Sequence, residues 1–427
     1  MKPPKTIAEL DAQDELKEFR NQFYLQPDTI YLDGNSLGLL CKPAESALLR
    51  VLEEWKTLGI EGWSKASLPW FEMAEHLGAL VSPLVGAEPG SVIVTNSTTI
   101  NLHQLLATLR TTNQSKTETL QYPRTTILAD ELNFSSDQFA LQSHVKLRGA
   151  GVLKLVPGKD SYTLDENEII NSMTEDVQIA VFPAVLYHSG QLLDMERLTV
   201  EAHYRGIMIG FDCSHSIGAI PHEFDRWGVD FAFWCHYKYL NAGPGAAGGL
   251  YLNRRHFGRE PGLAGWFSSR KDLQFDLTNE LISAENAGAL QVGTPNILSM
   301  APLQGSLEIS YRAGIAQIRR KSLQMTDYLI EQADSRLLDY GFEMVTPREP
   351  ERRGGHVALK HPEAIRICKA LKLSKTVPDY RPPDLIRVSP SALYTSFAEC
   401  EEFVQRLIAI MENRSYLVQK TARDIVA

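Results

Sequence analysis

The sequence is short of cysteine and of positive charge, and each shortage excludes a class of protein. The five cysteines among the 427 residues are widely spaced and include no C-x-x-C pair. This argues against a disulfide framework and against a zinc site, so we expect reduced thiols and no bound metal. The formal net charge is -9, which makes binding to the phosphates of nucleic acid unexpected.

Long apolar runs are also missing. No stretch is apolar for long enough to span a bilayer, and Met1–Arg20 carries charges throughout in place of the apolar core of a signal peptide. We therefore expect a cytoplasmic protein that has neither a membrane nor nucleic acid as a partner.

What the sequence does contain, from about Val92 onward, is an alternation of short β-branched runs with amphipathic stretches. The predicted strand and helix pairs are Val92–Val94 with Ile100–Arg110, Thr125–Leu128 with Ser136–Arg148, and Ile179–Phe182 with Met195–Arg205. Gly206 ends the last of these helices and precedes a predicted strand at Ile207–Phe211. This alternation is typical of a parallel sheet covered by helices, and it predicts an α/β fold.

The pattern changes after Pro295, where one long helical stretch is predicted through Leu337 and a final amphipathic helix near Phe397–Glu412. We expect an N-terminal segment, 1–60, that packs with a small domain; a large domain, 61–297, with a mostly parallel sheet flanked by helices; and a smaller C-terminal α+β domain, 298–427. The polar segment Pro347–Gly355 is interpreted as a turn between strands.

Asp212 closes the predicted strand at Ile207–Phe211 and is followed by His215 in a serine-rich turn. Ligands of open α/β sheets bind at the carboxyl ends of strands. An aspartate at that position can equally well cap a turn, so Asp212 alone does not decide between the two interpretations.

Lys238 is predicted to end an apolar, aromatic strand where a glycine-rich loop begins. A lysine seldom ends a buried strand without a partner, and a desolvated lysine becomes an amine that forms Schiff bases. Pyridoxal phosphate held in this way needs a carboxylate at its ring nitrogen, which Asp212 could supply. The alternative is a solvated lysine on the surface.

Two further segments follow predicted strands and open helices. Ser97, Thr98 and Thr99 could bind a phosphate at a helix N-terminus, although such residues also serve as ordinary helix caps. Phe134 could lie flat against a cofactor ring, and Asp137 could supply a second carboxylate. Core packing and a favourable helix start are the alternatives for these two residues.

Two other motifs carry no chemistry. Gly243–Gly248 matches G-x-G-x-x-G, but it runs into a predicted strand at Gly249–Leu252 instead of opening a helix, so a nicotinamide or flavin site is rejected. Asp212 and His215 have no third ligand at an interpretable spacing, which argues against a metal pair.

Taken together, the segments resemble the kynureninase family of fold-type I pyridoxal-phosphate enzymes. The resemblance extends from YLDGNSLG near the N-terminus to RPPDLIRVSPSALYTSF near the C-terminus, and its most specific motifs are DCSHSIGA, WCHYKYLNAGPG, AGWF and GTPNILS. It implies a mostly parallel α/β large domain with a smaller C-terminal domain, pyridoxal 5'-phosphate as cofactor, and a homodimer with shared active sites.

The resemblance also implies a role for individual residues. Lys238 would be the Schiff-base lysine, and Tyr237 a phosphate contact and acid/base group. The remaining cofactor contacts would be Thr98, Thr99, Phe134, Asp137, Asp212 and His215, with Trp266 and Thr294 reaching the phosphate of a neighbouring subunit. Arg387 would bind the substrate α-carboxylate, a task that suits a bidentate guanidinium, unless it is only an ion-pair partner.

Three more residues are assigned to the substrate: Asn35 and Ser36, where the family closes over it, and Trp63, which would shape an aromatic pocket. Two departures from the family pattern leave the preference between kynurenine and its 3-hydroxy derivative open. Ser268 and Ser269 follow AGWF where many relatives have Gly-His or Gly-Ser, and the segment around Trp63 lacks a histidine found in some members.

The expected reaction is hydrolysis of the Cβ–Cγ bond of L-kynurenine, or of 3-hydroxykynurenine, to anthranilate or its 3-hydroxy derivative and L-alanine. A cysteine desulfurase or aminotransferase of the same fold is the nearest alternative. A desulfurase needs a nucleophilic cysteine on a mobile loop, whereas Cys368 and Cys400 lie in predicted helices. A non-catalytic protein that binds the cofactor is a third alternative.

Overall fold

The computed structural model describes residues 6–110, 124–149 and 151–423. Residues 1–5 of the predicted N-terminal segment and residues 424–427 of the predicted C-terminal domain lie outside them. In chain order, the strands are β1 (Ile30–Tyr31), β2 (Val92–Thr95), β3 (Thr126–Asp130), β4 (Leu153–Val156), β5 (Val177–Pro183), β6 (Met208–Asp212), β7 (Phe231–Trp234), β8 (Gly248–Leu252), β9 (Glu343–Met344), β10 (Val357–Lys360), β11 (Thr376–Val377), β12 (Asp379–Arg381) and β13 (Leu385–Val388).

In chain order, the α-helices are α1 (Ile7–Ala12), α2 (Lys42–Leu58), α3 (Gly62–Lys65), α4 (Met73–Val81), α5 (Thr98–Leu109), α6 (Ser135–Arg148), α7 (Glu166–Asn171), α8 (Met195–Tyr204), α9 (Phe224–Trp227), α10 (Ile297–Ala313), α11 (Ile315–Gln332), α12 (Ala364–Leu373) and α13 (Phe397–Glu412). Short 3-10 turns lie between several of them.

The main sheet has seven strands in the order β2-β8-β7-β6-β5-β3-β4. Strand β8 runs antiparallel to β2 and β7, whereas the other neighbouring pairs are parallel. The strands are apolar on both faces because helices cover the sheet, as the burial of β2, β3 and β7 shows. The predicted α/β fold with a mostly parallel sheet flanked by helices is confirmed.

The C-terminal part forms a second, antiparallel sheet in the order β12-β13-β10-β9. Its core includes apolar side chains from α11, α12 and α13. The N-terminal segment is attached to this part, because β1 pairs with β11 and because Asp11 accepts hydrogen bonds from the backbone N–H groups of Phe397 and Ala398 at the start of α13. The domain boundaries at residues 60 and 297 stay a prediction.

Two predicted elements differ from the structure. The long helix expected after Pro295 is two helices, α10 and α11, because Gly314 between them has a φ of +74°. The strand expected to end at Lys238 ends earlier, at Trp234. Beyond Trp234, the carbonyl of Lys238 accepts from the backbone N–H of Asn241 instead of from a neighbouring strand. Within the described residues, no helix has the length and apolar character needed to cross a bilayer.

Candidate active site

The chemically active side chains of the large domain gather at one edge of the main sheet. Parallel strands present their carboxyl ends at the same edge, so the segments that follow them meet there. Asp212 ends β6, and Lys238 lies in the turn after β7. Asp137 opens α6 after β3, and Thr98 opens α5 after β2. Residues far apart in the chain therefore share one site.

Lys238 contacts His215 directly, with 2.9 Å between Nζ of the lysine and Nε2 of the histidine. Burial first, and then the charge of Lys238, lowers the pKa of His215 well below its ordinary value. The imidazole therefore stays neutral, and its Nε2 accepts a hydrogen bond from the lysine amine.

The turn that carries Lys238 is held by the N-terminal segment. The backbone N–H of Gly38 donates to the carbonyl of Tyr237 at 2.8 Å. A Cβ atom at position 38 would lie 2.3 Å from the carbonyl oxygen of Lys238, so only glycine permits this close approach. The GNSLG motif thus packs directly against the lysine turn.

Two carboxyl groups share the site with Lys238. Burial raises the pKa of Asp137 well above its ordinary value, and the charge of Asp212 and a hydrogen bond to it raise this pKa further. Asp137 is therefore protonated and donates to Asp212, which leaves one charged carboxylate in the pair. Oδ1 of Asp212 accepts from the backbone N–H of Ser214 at 2.8 Å, which fixes its orientation.

The start of α5 has the features of an anion site. Its N-cap residue, Ser97, makes no capping hydrogen bond with its side chain, so the cap-only interpretation of this serine does not hold. The first N–H groups of a helix carry partial positive charge and need an acceptor. A Cβ atom at Gly248 would lie 3.0 Å from the backbone nitrogen of Thr98, so glycine lets β8 approach this turn closely. Thr99 Oγ1 lies 2.6 Å from Ser136 Oγ, which ties α5 to the start of α6.

An aromatic wall adjoins the carboxyl pair. Phe134 is 46% exposed, so the core-packing alternative for this ring does not hold. It packs edge-on against Tyr187, with 5.3 Å between the ring centroids. Tyr187 packs in turn on His188, at 3.8 Å. The open face of Phe134 is available to a flat ligand.

Arg387 is buried, and each of its three guanidinium nitrogens donates a hydrogen bond. Its Nε donates to Asp379 Oδ2 at 2.5 Å, its Nη1 to the carbonyl of Tyr187 at 2.6 Å, and its Nη2 to Ser36 Oγ at 3.1 Å. The structure thus brings Arg387 and Ser36 together and shows that Arg387 is also part of a buried ion pair. Asn35 lies beside them with its side-chain oxygen and nitrogen buried, and neither has a hydrogen-bond partner among the described residues.

Trp63, Trp266 and Thr294 lie elsewhere. They line a cavity of about 590 Å³ together with other aromatic residues, including Phe71, Phe267 and Phe275. Trp266 is 45% exposed, and its indole N–H donates to the carbonyl of Gln274 at 3.1 Å. In the part of the chain that the structure describes, none of the residues around Lys238 lines this cavity.

Sequence reasoning missed several residues that the structure brings to the site. These are Tyr187 and His188 after β5, His356 beside His215, and the pair Asp379 and Arg381 in β12. One signal was present for the last pair, because an acidic and a basic residue alternate in DYR shortly before Arg387. No group of three potential metal ligands occurs in the described residues.

Comparison with known proteins identifies the family. The family profile for the kynureninase C-terminal domain matches residues 318–407. Kynureninase from Geobacillus thermodenitrificans (strain NG80-2) is 52% identical over 98% of this chain and 96% of its own length. Kynureninase from Bacillus thuringiensis subsp. konkukian (strain 97-27) is 53% identical over 98% of this chain and 97% of its own length. The chain belongs to the kynureninase family.

Solved structures of lower sequence identity share the fold. A cysteine desulfurase from Thermococcus onnurineus NA1 superimposes with a TM-score of 0.77 at 19% identity, covering 93% of this chain and 98% of its own. A C-DES mutant with glycine covalently linked to its PLP cofactor gives a TM-score of 0.79 at 18% identity, covering 91% and 98%. The predicted fold-type I architecture and the predicted relation to the kynureninase family are thus both confirmed.

Proposed function

We infer that this member of the kynureninase family uses pyridoxal 5'-phosphate to hydrolyse the Cβ–Cγ bond of L-kynurenine, yielding anthranilate and L-alanine. The similarity to kynureninases over almost the whole chain carries this proposal. The 3-hydroxy derivative is the alternative substrate for the same chemistry, and it would yield 3-hydroxyanthranilate.

The residues at the sheet edge fit the cofactor. The carboxylate of Asp212 would pair with the protonated ring nitrogen. One oxygen of Asp137 is buried and has no partner among the described residues. Lys238 would hold the cofactor through its amine, and the start of α5 at Thr98 and Thr99 would bind its phosphate. Phe134 would cover the ring on one face. When bound, the cofactor supplies an aldehyde for the substrate amine and an electron sink for the developing carbanion.

The proton transfers belong to the chain's own residues. Lys238 would take the α-proton of the bound substrate, with neutral His215 holding its amine in position. The neighbouring Cys235 and then burial raise the pKa of Tyr237. Its phenol therefore stays protonated at neutral pH, and we assign it the donation of a proton to the β-carbon after the bond breaks.

The substrate would lie between the sheet edge and the N-terminal segment. Its α-carboxylate would meet Arg387 and Ser36, with Asn35 offering two unsatisfied polar atoms beside them. An entering carboxylate forms charge-assisted hydrogen bonds that a serine hydroxyl does not, so it can displace Ser36 from the guanidinium.

A homodimer with shared active sites is part of the proposal, and we place it in the cytoplasm. The observation that supports sharing is the separation of Trp266 and Thr294 from the Lys238 site within one chain. If these two residues reach the phosphate of a partner, Trp63 belongs to the same shared surface, because all three line one cavity.

A desulfurase is disfavoured by the cysteines. All five are buried, and burial raises the pKa of Cys368 and of Cys400 within their helices. A nucleophilic thiol needs an exposed position and a lowered pKa, and none of the five has both.

The test is to mix the purified protein with pyridoxal phosphate and L-kynurenine, and to follow anthranilate by fluorescence and alanine by chromatography. We expect both products in equal amounts. The Lys238→Ala variant should form neither, and borohydride should fix the cofactor to Lys238 in the wild type and in the surface control Lys360→Ala. Covalent cofactor on Lys238 without anthranilate or alanine would retain the cofactor assignment and overturn the reaction.

A further inference from the structure

Two guanidinium groups converge on one hydroxyl oxygen. Nη2 of Arg387 lies 3.1 Å from Ser36 Oγ, and Nη2 of Arg381 lies 3.4 Å from the same atom. Asp379 fixes their relative positions, because its Oδ2 accepts from Nε of Arg381 at 2.8 Å and from Nε of Arg387 at 2.5 Å. Both guanidinium groups thus point toward a single oxygen.

The two arginines differ in what they can still bind. The side chain of Arg387 is 1% exposed, and each of its three nitrogens already donates a hydrogen bond. The side chain of Arg381 is 28% exposed, and its Nη1 has no hydrogen-bond partner among the described residues. Arg381 is therefore the arginine with both an open donor and access from solvent.

Arg381 also lies within electrostatic reach of the Lys238 site. Its charge contributes, after burial and the charges of nearer groups, to lowering the pKa of His215, and it likewise lowers the pKa of His188. His188 packs on Tyr187, whose ring meets Phe134. The charge of Arg381 therefore acts on the histidine that contacts Lys238.

Two carboxyl groups lie near the two arginines. Asp379 is paired with both guanidinium groups. The other nearby carboxyl is Asp33, whose pKa is raised to about 6, first by burial and then by the charge of Asp379. Oδ1 of Asp33 is buried and has no partner in the part of the chain described. Of the two carboxyls, Asp379 is the one that forms ion pairs with the arginines among the described residues.

We propose that Arg381 is a second binding residue for the α-carboxylate of the substrate, and that Ser36 Oγ marks the position which one carboxylate oxygen takes when the substrate is bound. The proposal rests on the proposed function, since it requires an amino-acid substrate. Beside Arg387, Nη1 of Arg381 supplies a donor that is free within the described part of the chain, and a planar guanidinium matches a carboxylate edge to edge.

The experiment compares two ligands that lack the α-amino group and so cannot take the place of Lys238 on the cofactor: the acid that corresponds to kynurenine without its α-amine, and the primary amide of that acid. Their affinities for the cofactor-loaded enzyme are measured by calorimetry. In Arg381→Gln the affinity for the acid should fall about tenfold to a hundredfold, as expected for loss of a hydrogen bond between charged groups, while the amide should bind as before. The KM for the substrate should rise with kcat nearly unchanged.

Arg336→Gln is the matched control. The side chain of Arg336 is 34% exposed and paired with Glu401, as Arg381 is paired with Asp379. Its hydrogen bonds go to Gln332 and Glu401, and none goes to Ser36 or Asp379 among the described residues. Its substitution should leave both affinities unchanged. Arg381→Lys should keep part of the preference for the acid, because the charge remains.

A double variant distinguishes direct contact between Arg381 and the carboxylate from an indirect role of Arg381. If Arg381 contacts the carboxylate itself, adding Arg381→Gln to Arg387→Gln lowers the affinity for the acid again. If Arg381 only orients Arg387, the second substitution has no further effect, and the proposal is overturned. An equal loss of acid and amide binding in Arg381→Gln overturns it as well, since that indicates a distorted site.

The proposed function and this inference fail in different ways. If the wild type releases no anthranilate but prefers the acid to the amide, and this preference depends on Arg381, the proposed reaction is wrong and the proposed role of Arg381 is retained. If the wild type cleaves kynurenine and Arg381→Gln keeps the full preference for the acid, the reaction stands and the inference falls.

Discussion

The amine of Lys238 lies 2.9 Å from Nε2 of His215. Burial and the lysine charge lower the pKa of this histidine, so the contact joins a neutral imidazole acceptor to an amine donor. Nδ1 of His215 is buried without a partner in the described residues. Among the described residues, the only hydrogen bond of the His215 imidazole is therefore the one to the amine of Lys238.

We expect His215→Asn to weaken the binding of pyridoxal phosphate by about tenfold, the loss of roughly one hydrogen bond and a ring contact. Titration of the cofactor-free protein, followed by absorbance, measures this. His361→Asn serves as the control, because His361 is also buried but belongs to the small domain. Equal affinities in wild type and His215→Asn would contradict a role for this contact in holding the amine.

The two carboxyls of the site should respond very differently to replacement by an amide. Asp137 is already protonated beside Asp212, so Asp137→Asn replaces a neutral group by a neutral group of the same shape. We expect its turnover to fall less than about tenfold. Asp212→Asn removes the charge that we assign to pairing with the ring nitrogen, and it should lower turnover about a hundredfold or more. Steady-state kcat at saturating cofactor gives both numbers. A larger loss in Asp137→Asn than in Asp212→Asn would reverse the assignment.

Shared active sites can be tested by hybrid dimers. Lys238→Ala and Trp266→Ala should each be nearly inactive as homodimers, but a hybrid contains one site with both residues intact. Random reassortment of equal amounts gives half hybrids, so we expect about a quarter of the wild-type activity to return. Mixing either variant with itself is the control. Absence of any recovery after verified subunit exchange would place Lys238 and Trp266 in the same subunit's site.

The strands and helices of the large domain could be predicted because burial repeats with the period of each element. The predicted helix at Ile100–Arg110 and the observed one at Thr98–Leu109 nearly coincide, since Leu102, Leu105 and Leu109 face the core. The end of β7 could not be predicted in this way, because Cys235 and His236 continue the buried run although the chain has already turned.

Only part of the site could be predicted from the sequence. Asp212 and Asp137 could each be proposed from their position after a strand, but the proton that they share depends on a burial that only the folded chain shows. Arg381 and Asp379 alternate with Tyr380 in a strand of three residues, which resembles any exposed, charged edge. The contact between Arg381 and Ser36 joins segments that are more than three hundred residues apart in the chain. No local sequence pattern predicts such a contact.

The stability of the protein should decline in mild acid, and His236 provides a way to measure one contribution. Burial lowers the pKa of His236 to about 4 from an ordinary value of 6.5. Its Nε2 accepts from the indole N–H of Trp234 at 2.8 Å, and its Nδ1 lies 2.6 Å from the carbonyl of Ala247, so the folded protein needs the neutral ring.

The unfolded chain binds a proton at this histidine as the pH falls below about 6.5, whereas the folded chain does so only near pH 4. The free energy of unfolding therefore drops as the pH falls through this window, by about 2 kcal/mol between pH 7.5 and pH 5 for this one group. In His236→Gln the amide can accept from the indole N–H of Trp234 and donate to the carbonyl of Ala247, and it does not titrate. The decrease in the free energy of unfolding between the two pH values should therefore be smaller by about 2 kcal/mol. Urea unfolding at both pH values measures it, with His76→Gln on the surface as the control. An unchanged decrease in His236→Gln would show that this imidazole does not contribute to the acid sensitivity.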